Sequence, residues 1–343
     1  MSLNSRRLIV KTLIALSGAA WLAGGWSAVQ AQEIKKAKLG HSFNEAHPRA
    51  TAMKQFAAAV AKNTNGKVQI EVFGNSVLGS EDKMLLATQS GVQDLYMGAM
   101  APIAARKKEM QIFDFPFIFG SDAEAAYVLD GPVGRKMLDG LSELNMHGLA
   151  WTGGAFRNMS NSKRPVGSVA DMKGLKLRVM PSPMALASFN AMGLNAVPMA
   201  FTEVYPALET KALDGYEHPF VDMYANKMYE VQKYLTITNH VYTPVALVSS
   251  SKWWNSLTPE QQGAVQKAAE ETRTFQRKAE LADATDVVGQ LKAKGMSVTE
   301  MPAAELDKIR IAVQPVIDKN SEAIGAEFVQ SFYAELRKFR SRK

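Results

Sequence analysis

The chain has 343 residues, 47% hydrophobic and 21% charged, which fits a globular protein of about two domains and excludes a disordered or fibrous one. It contains no cysteine, which excludes disulfides, thiolate metal sites, a cysteine nucleophile and a lipid anchor on an N-terminal cysteine. The formal charge of +7 gathers at the ends, in Arg6, Arg7 and Lys11 and in Arg337, Lys338, Arg340, Arg342 and Lys343, so the body is near neutral and nucleic acid is not an expected partner.

Arg6, Arg7 and Lys11 precede an apolar run from Leu13 to about Ala23, and Val29-Gln30-Ala31 offers small residues for cleavage. Residues 1–31 are therefore expected to be an export signal removed after Ala31. Ser5 to Lys11 is similar to a twin-arginine signal, with Ile9 and Val10 where Phe and Leu are usual, and the general secretory route stays open beside it.

Lys36 to His41 reads as a first strand, and Pro48 to Lys62 as a helix with Ala52, Met53, Phe56, Ala57 and Val60 on one face. Asn65-Gly66 turns into an alternating strand, Lys67 to Phe73. A helix from Glu81 to about Ser90, closed by Gly91, leads to a strand over Asp94 to Gly98. The aromatic stretch Ile112 to Phe119 is expected to be a core plug, since no polar residue is spaced in it to hold a cofactor. Leu149 to Gly154 is a plausible crossing between two domains, with Arg157 just beyond.

Leu175, Leu177 and Val179 alternate with Lys176 and Arg178, the period of a strand with one apolar face. Ser182 as N-cap and Pro183 at the first helical position then start a helix to about Asn190, and Gly193 closes it. Ala196 to Phe201 is predicted as a strand, Thr202 as the next N-cap and Glu203 to Lys211 as a helix. Asp214-Gly215 turns the chain into a strand end at Tyr216-Glu217-His218-Pro219. Such a strand-helix run builds a mostly parallel sheet that binds ligands beyond the carboxyl ends of its strands, near Arg178, Phe201 and His218. The pattern alone leaves Arg178 either a solvated strand residue or a cleft cation.

A second crossing fits Thr236 to Val248, interrupted by Pro244. Thr258-Pro259-Glu260-Gln261 resembles a capping box, opening a helix predicted to run to about Lys294 and to end at Gly295. Ala46-His47-Pro48 and Glu217-His218-Pro219 resemble one another, too briefly to argue duplication.

The nucleophile elbow, Walker A loop, dinucleotide fingerprint and H-E-x-x-H motifs are all missing, so enzyme activity is not expected. His41, Glu45 and His47, with His218 as a conceivable fourth ligand, are the best metal candidates, but a helix-initiating His-Pro pair and a surface Glu explain them more simply. Neither a metal nor a cofactor is expected.

Asp171 to Val179, Pro198 to Leu208 and Leu213-Asp214-Gly215 resemble the DctP-type solute-binding proteins of tripartite ATP-independent periplasmic (TRAP) transporters. Asn65-Gly66-Lys67, Leu78-Gly79-Ser80-Glu81, Phe115-Pro116-Phe117 and Thr258-Pro259-Glu260 agree with the family, so the resemblance spans essentially the whole mature chain. It implies an α/β, two-domain periplasmic binding protein of type II-like form, with a cleft between the domains and a long hinge-spanning helix. The expected division is residues 32–154 with 243–283 as domain I, 155–242 with 284–335 as domain II, and 336–343 as a basic tail. The resemblance makes Arg178 the carboxylate clamp, Arg157 a second cleft arginine and Phe201 an aromatic pocket contact, with His218, Glu217, Phe43, Glu81 and Trp151 as further candidate ligand-binding residues. His218 stands where many relatives have Asn, and Ala99 and Pro102 where sialic-acid binders carry Glu and Arg. Sialic acid is thus a poor match, and a smaller or less polar organic acid is expected. The implied partners are that acid and the TRAP permease subunits, with the protein a periplasmic monomer. A similarly shaped binding protein of an ATP-driven importer, a metal receptor included, is the competing reading.

Overall fold

The computed structural model describes residues 34–284 and 286–342. The expected export signal and the final residue of the basic tail lie outside the described residues.

Strand and helix alternate from the start: β1 (Lys35–Gly40), α1 (Pro48–Asn63), β2 (Val68–Phe73), α2 (Glu81–Ser90) and β3 (Leu95–Ala99). At the head of α1 the Nδ1 of His47 accepts from the Arg49 backbone N–H at 3.1 Å, with Pro48 in the first turn. The aromatic stretch is buried at Ile112, Phe113, Phe115, Ile118 and Phe119, so it does plug the core. Two helices, α3 (Asp122–Asp130) and α4 (Pro132–Asp139), lead into the long strand β4 (Met146–Asn161).

After β4 come α5 (Val169–Met172), β5 (Lys176–Val179), α6 (Pro183–Ala191), β6 (Asn195–Pro198), α7 (Val204–Glu209), β7 (Gly215–His218) and α8 (Phe220–Ala225). The predicted strand to Phe201 stops at Pro198, whose nitrogen has no hydrogen to extend a ladder. Phe201–Glu203 is a 3-10 turn, so Thr202 lies inside a turn and is not the N-cap expected. A second long strand, β8 (Tyr234–Ser250), precedes α9 (Ser251–Asn255), α10 (Pro259–Ala284), α11 (Val287–Ala293), β9 (Ser297–Glu300), α12 (Ala303–Ile324) and α13 (Ala326–Arg340).

The capping box forms as expected, the Thr258 N–H donating to Gln261 Oε1 at 2.9 Å and the Gln261 N–H to Thr258 Oγ1 at 3.2 Å. The helix it opens is shorter than predicted. It ends at Ala284, and α11 begins at Val287 after Asp286, whose φ of −135° has left the helix. Asp286, a weak helix former, stands at the N-cap of α11.

The nine strands among the described residues join one sheet, ordered β2-β1-β3-β8-β4-β7-β5-β6, with β9 paired to β8. Parallel triplets lie at each end, and the antiparallel pair β4 and β8 runs through the middle. The β3 strand pairs with β8 over Val245 to Ser249, whereas β7 pairs with β4 over Asn158 to Asn161. Leu149 to Gly154 lies in β4 and Thr236 to Val248 in β8, the two strands paired at the middle of the sheet. Leu39, Met53, Phe56 and Val265 pack in the core of the first half, and Val204, Leu208, Tyr216 and Met223 in that of the second. Gly153 leaves room for the Glu280 side chain of α10, whose Oε2 would stand 2.3 Å from a Cβ there.

Candidate ligand-binding site

Arg178 lies in β5, hydrogen-bonded between β6 and β7, and is 2% exposed, so it is not a solvated strand residue. Its strand ends just before Pro181, and the Ser182 hydroxyl caps α6 by accepting from the Ala185 N–H at 3.3 Å. The same hydroxyl donates to Asp114 Oδ2 at 2.5 Å. Arg178 Nε donates to the Met199 carbonyl at 2.8 Å, beyond β6, which fixes the guanidinium. Its Nη1 is buried without a partner in the protein. Burial lowers the Arg178 pKa to about 10, with Glu217 supporting the charge and Arg157 opposing it, so the group is cationic at neutral pH.

Arg157 comes from β4, and Glu217 from the adjoining β7. Arg157 Nη2 donates to Glu217 Oε1 at 2.8 Å and to the Glu217 carbonyl at 2.6 Å, and its Nε donates to the other carboxylate oxygen. Burial pushes the Glu217 carboxyl up, but Arg157 and His240 outweigh it and bring the pKa down to about 2. Glu217 therefore faces Arg157 as a fixed counter-ion.

The first half of the sheet supplies the opposite wall. Ser42 Oγ donates to Glu81 Oε1 at 2.8 Å, and burial raises the Glu81 carboxyl pKa. Phe43 and Phe201 both line the cleft, the first with its ring 4.9 Å from the Arg49 guanidinium and the second with its ring 4.9 Å from His218.

Asp222 on α8 is where the two walls meet. His47 Nε2 stands 3.3 Å from its Oδ1, and Arg49 Nη1 and His218 Nδ1 stand 3.7 and 3.6 Å from its Oδ2. Burial would raise the Asp222 carboxyl pKa, but His218, Arg49 and His47 hold it well below the carboxylate range. Arg49 also donates from Nε to Glu280 Oε1 at 2.5 Å, and Asn44 Nδ2 donates to the Ala225 carbonyl at 2.7 Å. Burial lowers the His218 pKa to about 4 despite Asp222, so its ring is neutral at pH 7.

Arg178, Arg157, Phe201, His218, Phe43 and Glu81 therefore line one cleft, with Glu217 directly behind Arg157. Trp151 is the correction: it is 1% exposed, its Nε1 donates to the Gly134 carbonyl at 3.0 Å, and its ring meets Phe113 edge-on at 5.1 Å. Register slips in β4 between Gly148 and Ala150 and between Trp151 and Gly153 break the simple alternation, and the indole packs into the core against α4. Of the metal candidates, Glu45 turns outward to Lys54 while His47 turns inward to Asp222. Sequence reasoning missed Ser42, Arg49, Asp222 and Thr243. The only available hint was the shared His-Pro pair, since both His47 and His218 face Asp222.

A buried arginine with a free donor, beside apolar and aromatic surface, can grip a small anion through charge-assisted hydrogen bonds. The family model described as bacterial extracellular solute-binding protein, family 7 (DctP), matches residues 39–323. The C4-dicarboxylate-binding periplasmic protein DctP of Rhodobacter capsulatus is 31% identical over 94% of this chain and 98% of its own. The crystal structure of the sugar acid binding protein of Advenella mimigardefordensis strain DPN7T, in complex with galactonate, superposes with a TM-score of 0.86 at 37% identity, covering 89% of this chain and 99% of that one. A TRAP periplasmic solute-binding protein of Polaromonas sp. JS666, bound to D-erythronate, gives a TM-score of 0.84 at 32% identity, covering 87% and 98%.

Proposed function

The chain belongs to the DctP family of bacterial extracellular solute-binding proteins, and we propose that its cleft holds a small organic acid by a carboxylate clamped on Arg178. It is a TRAP-type solute receptor, and its family serves transport and not catalysis. The observation that carries the ligand reading is the buried Arg178 guanidinium, which lines the cleft, is fixed by the Met199 carbonyl and has an Nη1 without a partner in the protein. A carboxylate matches the paired donors of a guanidinium, and each charge-assisted hydrogen bond contributes about 1.5–3 kcal/mol. The related proteins bind galactonate, D-erythronate and C4-dicarboxylates, all of which carry a carboxylate.

Residues 32–154 with 243–283, and 155–242 with 284–335, act as two lobes that close on the ligand by bending in β4 and β8. The ligand drives closure because it prefers the closed form, and the closed receptor delivers the acid from the periplasm to the permease subunits. Thermal unfolding across a panel of organic acids tests this. A bound acid at a thousand times its Kd stabilises the folded chain by about 4 kcal/mol, whereas a panel without any shift contradicts the proposal.

A further inference from the structure

We infer that the chain carries a second, regulatory site: a cavity beside the cleft that takes a small organic cation, an ammonium group on a short apolar body, and favours closure when occupied. The coupling to closure rests on the two-lobe reading above, whereas the cavity and its chemistry do not.

The cavity has a volume of about 270 Å³ and adjoins the cleft, with Arg49 and Asp222 lining both. Ala126 of α3, Ala155 of β4, Val221 of α8 and Leu281 of α10 give it apolar walls, and Tyr242 of β8 adds an aromatic one. Protein interiors are close-packed, and an apolar cavity of about 150 Å³ already holds benzene, so this space is large enough for the apolar body of a ligand.

The charge around it is unbalanced. Asp122, Asp222 and Glu280 line the cavity together with Arg49 and Arg277. Arg277 is taken by Asp130, which lies outside the lining, through hydrogen bonds of 2.6 and 2.9 Å. Arg49 alone serves both Glu280, at 2.5 Å, and Asp222, at 3.7 Å. Among the described residues, Asp122 has no basic partner and Glu280 Oε2 accepts only the Gly154 N–H, at 3.3 Å.

That excess of carboxylate excludes an anion and leaves a neutral apolar guest beside unmatched charge. A metal ion is no better match, because no group of described residues is placed to hold one and the apolar walls supply no oxygen ligands. A primary ammonium has three donors to offer Asp122 and Glu280, and its chain packs on the alanines and Val221.

The same cation holds the two lobes together. Asp122 and Glu280 belong to residues 32–154 with 243–283, and Ala155, Val221 and Tyr242 to residues 155–242. A guest that touches both sides binds best when they are together, so it shifts the population to the closed form and tightens the acid in the cleft. By linkage the acid tightens the cation by the same factor.

The test is calorimetric titration of the full mature chain with hexylammonium chloride, with 1-hexanol supplying the chain alone and ammonium chloride the charge alone. Hexylammonium is expected to bind with a Kd of about a millimolar or below, and the two controls about tenfold more weakly or worse. Asp122→Asn removes an exposed charge and is expected to weaken hexylammonium about fivefold without moving the melting temperature. Ala126→Leu fills the cavity and is expected to weaken it about tenfold. Neither residue lines the cleft, so acid binding without hexylammonium stays that of the parent. With hexylammonium saturating, the acid that most raises the parent's melting temperature is expected to bind about fivefold tighter.

No binding of hexylammonium, or an unchanged affinity in folded Asp122→Asn and Ala126→Leu, overturns the site. Unchanged acid affinity at saturating hexylammonium overturns its regulatory role. Absence of acid binding while hexylammonium still binds supports the cavity site and removes the organic-acid reading of the cleft.

Discussion

Arg157 and Glu217 form a closed pair on neighbouring strands, with Arg157 Nη2 held at 2.8 Å by the carboxylate and at 2.6 Å by the carbonyl of the same residue. Both side chains are buried, so the guanidinium nearest Arg178 already has its counter-charge. The pair orders the cleft wall, and Arg178 is left as the group whose charge a ligand can meet.

Removing half of a buried pair leaves the other half uncompensated, so Glu217→Gln is expected to destabilise the protein by about 3–5 kcal/mol at pH 7, measured by urea unfolding. The pH dependence has a definite sign. The Glu217 carboxyl is depressed to about 2, below its unfolded value, so its contribution is present above about pH 4.5 and fades as pH falls towards 2. The gap between parent and variant should close over that window. A gap of constant size between pH 5 and 2 contradicts the assignment.

Asp114 behaves in the opposite sense. Burial raises its pKa to about 6, against the hydrogen bond from Ser182, so the folded chain holds a proton there that the unfolded chain releases near 4. The site costs stability above pH 6, and that cost disappears as pH falls through 4. Asp114→Asn is therefore expected to raise the melting temperature at pH 8 and to have little effect at pH 4, and a larger gain at pH 4 than at pH 8 contradicts it.

Trp151→Phe separates core from cleft. The loss of the Nε1 bond leaves the buried Gly134 carbonyl without that donor and is expected to cost about 1–3 kcal/mol. Ligand affinity measured by calorimetry should stay within twofold of the parent, and a tenfold loss in a folded variant would return Trp151 to the site.

Much of this was legible in local pattern. Leu175, Leu177 and Val179 marked the strand under Arg178, Ser182-Pro183 marked the helix after it, and Thr258 with Gln261 marked the cap of α10, because each signal spans only a few residues. Asp222 was not legible. Its partners His47 and Arg49 are far away in sequence and meet it only when the two halves of the sheet fold together. Trp151 was misplaced because strand alternation carries no sign of the register slips beside it. The stop at Ala284 and the new start at Val287 were not legible either, because the cap at Thr258 marks only where α10 begins.

The central claim is that Arg178 holds the carboxylate. Calorimetric titration of the parent and of Arg178→Ala, with the acid that most strongly raises the parent's melting temperature, tests it directly. Binding is expected to weaken by about 3 kcal/mol, roughly a hundredfold in Kd, in a variant that still unfolds cooperatively. An unchanged Kd would take Arg178 out of the site and contradict the account.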